Sequence, residues 1–487
     1  MRNACSLALA PGMNGNLSII TPGVMIRDRG LRTAVQAGSR RWWLVPTAAC
    51  AILTSGGAAA QSADQSLIEE GRRIFFEQTF DGNGRTCGTC HPATHNFTID
   101  AEFIARLPDD DPLFVAEFVP GLEGLEDPDM LERGLILENL NGFPPNDPVF
   151  RGVPHNIGMS VSIDAAPAHG GPTRDAVGWS GDGAPGAGTI RDFLQGAITQ
   201  HFPLSLARVP GVDFRLPTEE EADAVEAFLL ALGNQDELDL EELSFAHPDV
   251  EAGRRLFLGQ DGANRGCSFC HHNAGANRQD NRFNGNFDTG SHGLDPSLPP
   301  DDGFGRGAEA DGTFNTVSLV EAADTPPFFH NNSADTIEDA VEFYTTPIFG
   351  NSPAGRINNV PTPFNLTPLQ VDQVGAFLRA INARFNLLNS NVLSVEAAGL
   401  DIPRGRDRIR EVIAESEDAI EVLTGGPFGR NFRPLVAPVR RALGQERRAL
   451  AVPRVQQRNA ALAQARELKE SVAESLLAPS ELANLAP

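Results

Sequence analysis

"EEGRRIFFEQTFDGNGRTCGTCH", residues 69 to 91, and "EAGRRLFLGQDGANRGCSFCH", residues 251 to 271, are one pattern written twice with a two-residue difference in length. Each opens with a helical run and ends in Cys-x-x-Cys-His. That spacing is what c-type haem attachment needs: two thiols add to the two vinyl groups of one porphyrin, and the adjacent imidazole meets the iron from one face. A zinc site would want four soft ligands gathered together, and a redox dithiol has no use for a histidine after both motifs. Cys5 and Cys50 lie near the amino terminus, and the remaining four cysteines are Cys87, Cys90, Cys267 and Cys270, so no disulfide partner is left over. The expected cofactors are two covalently attached haem c groups, with His91 and His271 as iron ligands.

A second pair closes the two repeats. "TEEEADAVEAFLLALG" from Thr218 aligns without a gap with "TPLQVDQVGAFLRAIN" from Thr367. In both, a threonine cap precedes apolar residues at helical spacing: Val225, Phe228, Leu229 and Leu232 in the first, Val374, Phe377, Leu378 and Ile381 in the second. Opening helix, haem motif, loops and closing helix describe a cytochrome c domain. With 48 glycines, 36 prolines and few alternating valine or isoleucine stretches, the expected fold is mainly α: two cytochrome c-like haem domains with long loops, plus a C-terminal helical extension. The expected boundaries are a leader over 1–60, the first haem domain over 61–240, the second over 241–393, and the extension over 394–487. That last stretch reads as charged amphipathic helices with no histidine, cysteine, methionine, tyrosine or tryptophan, which argues against direct redox work and for a docking or packing appendage.

The amino terminus reads as an export signal. Arg40 and Arg41 precede the apolar run "WWLVPTAACAIL", and "GGAAAQ" offers small residues for cleavage after about Ala60; Met25 is an alternative start. A periplasmic or secreted location follows. No later stretch approaches 18 consecutive apolar residues, so no membrane span is expected. The whole chain carries 39 basic and 64 acidic side chains; the leader takes six arginines and one aspartate, leaving 33 against 63, a balance of −30. Such a chain repels nucleic acid and anionic membranes. The acidity serves either solubility or docking of a basic redox partner.

The only tyrosine, Tyr344, stands in "NNSADTIEDAVEFYTTPIF", although phenylalanine is used 29 times. Downstream of the second haem motif there is no methionine, and the candidate iron ligands are His272, His292, His330 and Tyr344. On a helix with Ile337 and Val341, a lone tyrosine is ordinarily core packing. These residues resemble the bacterial di-haem cytochrome c peroxidase and MauG superfamily, most closely in "FNTVSLVEAADTPPFFHNNSADTIEDAVEFY", over roughly residues 65 to 390. The family has "TPSLRN…APYFHDGS…", with an axial ligand of the second haem fourteen residues after its histidine. Fourteen residues beyond His330 is Tyr344. Methionine fills that place in typical peroxidases and tyrosine fills it in MauG, so the resemblance implies a phenolate ligand, which lowers the reduction potential and favours ferric or higher iron.

The resemblance also implies a role for Trp179. "VGWSGDGAPGAGTIRDFLQGAITQHF" is similar to the family's "FWDGRA…TLEEQA…GP…NPVEM", whose tryptophan lies between the haems and relays electrons; the plainer role is a loop anchor. At the first haem the chain departs from the family. The distal glutamine becomes Phe193, the proline becomes Ala197, and the glutamate of "NPVEM" has no acidic counterpart in "QHFPLS", leaving His201 as the nearest proton carrier. His95, four residues beyond His91, is too close in sequence to swing across the porphyrin, so an open site on this iron is expected. Phe193 is similar to the distal phenylalanine of di-haem rubber oxygenases, which bind dioxygen. Thr325 and Pro327 match positions whose carbonyls bind calcium in the family, but the asparagine partner there becomes Gly152.

Three functions follow: a peroxidase or MauG-like oxidoreductase activating peroxide at the first haem with the second as electron store; a dioxygenase acting on an apolar substrate; and a non-enzymatic electron-transfer cytochrome. The partners are peroxide or dioxygen and a small redox protein or protein substrate. Substrate, electron donor and oligomeric state have no signature in the residues.

Overall fold

Two helix crossings, built alike, organise the molecule. In the first, the helix Ser55–Glu77 meets the helix Glu219–Ala231 so closely that a Cβ on Gly71 would lie 1.8 Å from the Ala224 carbonyl oxygen and 2.8 Å from Phe228 Cβ. In the second, Pro248–Phe257 meets Pro368–Gly399, and a Cβ on Gly253 would lie 1.9 Å from the Gln373 oxygen and 2.9 Å from Phe377 Cβ. Gly71 and Gly253 hold equivalent places in the sequence repeat, as do Ala224 and Gln373, and Phe228 and Phe377. The aromatic pair beside each crossing repeats too: Phe75 packs on Phe228 with ring centres 5.4 Å apart, and Phe257 packs on Phe377 at 5.2 Å. Only glycine allows backbones to approach this closely.

These contacts belong to a computed structural model that describes residues 55–138, 148–163, 177–181, 188–233, 238–261, 265–280, 284–298, 301, 303, 312–359 and 363–479. The expected leader lies outside them as far as residue 54, and Ser55–Ala60 already belong to the first helix. From Gly56 onward the chain packs as one compact unit.

The structure is mainly helical. The closing helices start as their sequences require: Thr218 accepts from the Glu221 amide and Thr367 from the Gln370 amide, and each partner side chain returns a bond to the threonine's own N–H. Val225, Phe228 and Leu229 are buried, as are Val374, Phe377, Leu378 and Ile381; Leu232 instead ends its helix. The second closing helix runs 32 residues, to Gly399, well beyond the expected stretch and across position 393. After Pro368, no proline and no glycine but Gly375 interrupts the run before Gly399, and the polar side chains carried into the interior find partners. Asn382 and Asn386, both fully buried, donate to Asp324 Oδ2 at 2.9 and 2.6 Å.

Strand content is slight. Leu135–Glu138 pairs antiparallel with Val149–Gly152, setting Ile136 opposite Arg151, and Asn286–Phe287 pairs with Phe314–Asn315. The last helices, Ile402–Thr424, Arg433–Ala451 and Val455–Ser475, are packed into the second repeat rather than appended to it: Val422, Leu423, Phe432, Val436, Leu476 and Leu477 join the core that holds Phe257 and Phe377. The chain end returns to the start of the second opening helix, where Ala246 N–H donates to the Leu476 carbonyl at 3.0 Å. Lys469, the sole lysine, is fully buried against Glu446 at 2.6 Å. Among the described residues no helix is long and apolar enough to cross a membrane.

Candidate functional site

Each Cys-x-x-Cys-His segment is a single tight turn: a helical turn at Cys87–Cys90 and a 3-10 turn at Cys267–Phe269. The turn leading into the second needs Gly266, whose φ is +69° and whose Cβ would lie 2.4 Å from the Gly259 nitrogen. Cys87 packs against the first core and Cys267 against the second. All four cysteines are free, and burial pushes their thiols up to about 12. That is the opposite of the lowered thiol a redox dithiol uses. Among the described residues no group of three or more His, Cys, Asp or Glu side chains is disposed to hold a metal ion, so the two motifs do not converge on a zinc-type set.

The histidines are set for ligation through one nitrogen. His91 Nδ1 lies 2.7 Å from the Phe97 carbonyl, and His271 Nδ1 lies 3.0 Å from that of Val317. With Nδ1–H donating to a carbonyl, the lone pair is on Nε2. Burial holds both imidazoles down to about 4, so they stay neutral.

Both motifs open on one cavity of about 650 Å³, within the range of cofactor sites. Every residue expected to matter lines it: Cys87, Cys90, His91, Cys267, Cys270, His271, Trp179, Phe193, His201, Tyr344, Thr325 and Pro327. Neutral imidazoles and paired thiols facing a wide apolar hollow fit two covalently held macrocycles.

Tyr344 caps the C-terminal end of the helix Ile337–Phe343. Its ring meets Phe349 edge-on at 4.9 Å and Phe343 at 5.2 Å, and it packs in the cluster that Cys267 also touches. Among the described residues nothing hydrogen-bonds to its hydroxyl, and burial raises its ionisation well above the ordinary phenol value. A phenol facing a cavity with no protein partner fits an oxygen donor to a metal centre, since a bound cation reverses the cost of the anion.

Trp179 sits between two glycines in left-handed conformation, Gly178 and Gly181, at φ +69° and +62°. Its indole N–H donates to the Gly152 carbonyl at 2.8 Å, and its ring meets the edge of His330 at 6.4 Å. His330 is stacked on Phe314 at 3.8 Å, its Nε2 makes no hydrogen bond among the described residues and lies 3.8 Å from Asp301 Oδ2, and burial holds it down to about 3. Phe193 closes on the same turn: a Cβ at Gly178 would meet its ring at 3.0 Å. The indole is therefore pinned, which suits an anchor as well as a relay. Gly152 brings no side-chain oxygen to the expected calcium position; the amide of Asn332 occupies that space, its Oδ1 2.4 Å from where a Cβ would stand. His95 is turned away from the cavity, stacked on Phe103 at 4.6 Å and bonded to Asp100 at 3.2 Å.

Four groups passed over in the sequence reading complete the first pocket. Glu126 reaches His201 Nδ1 at 3.4 Å and Arg85 at 2.9 Å, and its other oxygen takes the Leu137 amide at 3.0 Å. Burial alone would raise it, but Arg85 and His201 hold it down to about 2. Glu138 and His155 line the cavity, and Arg151 is locked bidentate to Asp301 at 2.7 and 2.8 Å. No motif in the sequence marks them: Arg151 and His155 share one stretch, Glu126 and Glu138 lie on others, and only the fold brings them together. No protein-family model matches the chain, and no curated protein matches it, so the family resemblance stands on the motifs quoted above.

Proposed function

We propose that this chain is a di-haem c-type oxidoreductase of the cytochrome c peroxidase and MauG type, with two cytochrome c-like halves, exported to the periplasm or beyond. The observation that carries the reading is the convergence of both Cys-x-x-Cys-His turns and the lone tyrosine on one cavity. The equivalent Gly71 and Gly253 crossings support two copies of one haem-binding unit.

Bound haem iron supplies the activation of peroxide or dioxygen at His91 and the storage of oxidising equivalents at His271 and Tyr344. The chain's own part is positional. Phe97 and Val317 carbonyls fix the imidazole orientation, Phe193 presents an apolar wall to the first site, and Trp179 lines the same cavity with its N–H held by the Gly152 carbonyl. Thr325 and Pro327 remain the candidate calcium positions, through carbonyl oxygens only. A dioxygenase acting on an apolar substrate is the second reading, and the specific observation favouring it is Phe193 standing where an amide would assist peroxide.

Mass spectrometry of the purified protein tests the foundation: two macrocycle adducts are expected, and none refutes the proposal. A high-spin component in the resting spectrum is expected too, since a plain electron-transfer cytochrome would hold both irons six-coordinate. Peroxide added to the diferric protein, beside oxygen uptake with apolar substrates, separates the two enzymatic readings.

A further inference from the structure

In a strand, alternate residues share a face. Along Leu135–Glu138 the cavity face carries Ile136 and Glu138, while Leu135 and Leu137 pack into a separate apolar cluster. Glu138 thereby becomes the only carboxylate on the cavity wall among the described residues. The wall is fastened at that point, because Gln200 Nε2 donates to the Leu137 carbonyl at 2.6 Å, tying the end of the helix Ile190–His201 to the strand beside Glu138. Gln200, His201 and Glu138 thus share one side of the pocket.

Among the described residues every charged neighbour of Glu138 is already committed. From the opposite strand comes Arg151, engaged through both nitrogens by Asp301. Glu126 is held by Arg85, His201 and a backbone amide. Among the described residues no group donates a hydrogen bond to the Glu138 carboxyl. Burial therefore dominates, with Arg151 and His201 opposing it and Asp301 and Glu126 adding to it, and the carboxyl is raised above its ordinary range. Despite burial, Glu126 and Asp301 are held the other way, below their ordinary range, by Arg85 and His201 and by Arg151.

We propose that Glu138 is the proton-holding group of the first pocket, giving a proton to the oxygen of the bound oxidant and regaining one from water. The step moves one proton and no electrons: the carboxyl O–H bond breaks, an O–H bond forms on the substrate oxygen, and the carboxylate is reprotonated by solvent. The inference rests on the haem reading above, and it assigns the task to a strand residue rather than to the helix that carries Phe193 and His201.

The test uses haem-loaded protein and Glu138→Gln. Infrared spectra of the parent minus Glu138→Gln, taken in H2O and D2O at a pH just above the ordinary carboxylate range, are expected to show a protonated carboxyl band. Hydrogen cyanide, which must lose its proton on binding iron, is the second probe: its association rate in the parent should rise through a step above the ordinary carboxylate range, vanish as a step in Glu138→Gln, and return in part in Glu138→Asp. Oxidant-driven turnover should fall ~10²–10⁴-fold with both resting iron spectra unchanged. A parent-minus-variant spectrum without that band, or an unaltered cyanide profile, overturns the assignment while two macrocycle adducts leave the haem reading standing. A chain without adducts overturns both.

Discussion

Replacing Tyr344 with phenylalanine gives opposite signs for its two possible roles. Phenylalanine keeps the edge contacts with Phe349 and Phe343 and removes only a hydroxyl that has no hydrogen bond among the described residues. If the ring is mere packing, a macrocycle filling the cavity that Tyr344 lines leaves the hydroxyl desolvated without compensation, which costs about 1–3 kcal/mol. Tyr344→Phe would then raise stability by about that amount, on the order of 1 °C per kcal/mol for a cooperative unit of this size. If the oxygen is bound to the second iron, the same change removes a ligand and lowers the melting temperature of the loaded protein. The assay pairs thermal unfolding of loaded Tyr344→Phe with low-temperature magnetic resonance of the ferric protein. The expected result is a lower melting temperature and an altered signal from the second haem alone. A higher melting temperature with both signals intact refutes ligation.

Three further outcomes are expected. Gly71→Ala and Gly253→Ala should each lose at least ~1–3 kcal/mol in chemical denaturation, because the added carbon meets a backbone oxygen in both crossings; parent-like midpoints would refute the shared geometry. Burial raises Glu321, Asp324 to about 6, Glu415 to about 8, and Asp418, so the native state holds protons that the unfolded chain has released. Their stabilising contribution is complete below about pH 4 and is lost as pH rises through those values; urea unfolding should show stability falling between pH 5 and 8, and Glu415→Gln should recover on the order of a few kcal/mol at pH 8. Trp179→Phe should leave both resting iron spectra unchanged and slow electron exchange between them in stopped-flow reduction, and an unchanged exchange rate would return the indole to the role of anchor.

What was legible in the sequence was local chemistry and its repetition. A threonine followed three residues later by glutamate or glutamine marks a helix start without knowledge of the fold, and both closing helices begin there. Two cysteines and a histidine at fixed short spacing form a local pattern, so both motifs stand out. Tyr344 was found because it is alone. Glu126, Glu138 and His155 were not found, since a carboxylate acquires its role from burial and from who stands beside it. Glu126 is one acid among many in its stretch of chain, and only the fold brings Arg85 from 41 residues away to meet it. The length of the second closing helix has no local signal for a related reason: Asn382 and Asn386 suit a helix interior only once Asp324 arrives to bond them.

The C-terminal helices gain a purpose from the same kind of long-range pairing. Arg408 reaches Glu411 at 2.8 Å, Glu396 at 3.1 Å and Glu69 at 3.4 Å, and Arg72 pairs with Glu411. Glu69 and Arg72 lie on the helix that opens the first repeat, Glu396 on the helix that closes the second, and Arg408 and Glu411 in the extension. Phe385, on that second closing helix, packs against both cores. Arg408 and Glu411 are the buried members, and removing either leaves the other uncompensated, which is far costlier than losing a surface pair. The network therefore resists sliding of one half against the other. For the proposed function that resistance matters, because electron exchange between two haem sites would depend on their keeping a fixed separation. A stretch of sequence with no redox-active side chain can serve a redox protein by holding still the two parts that have them.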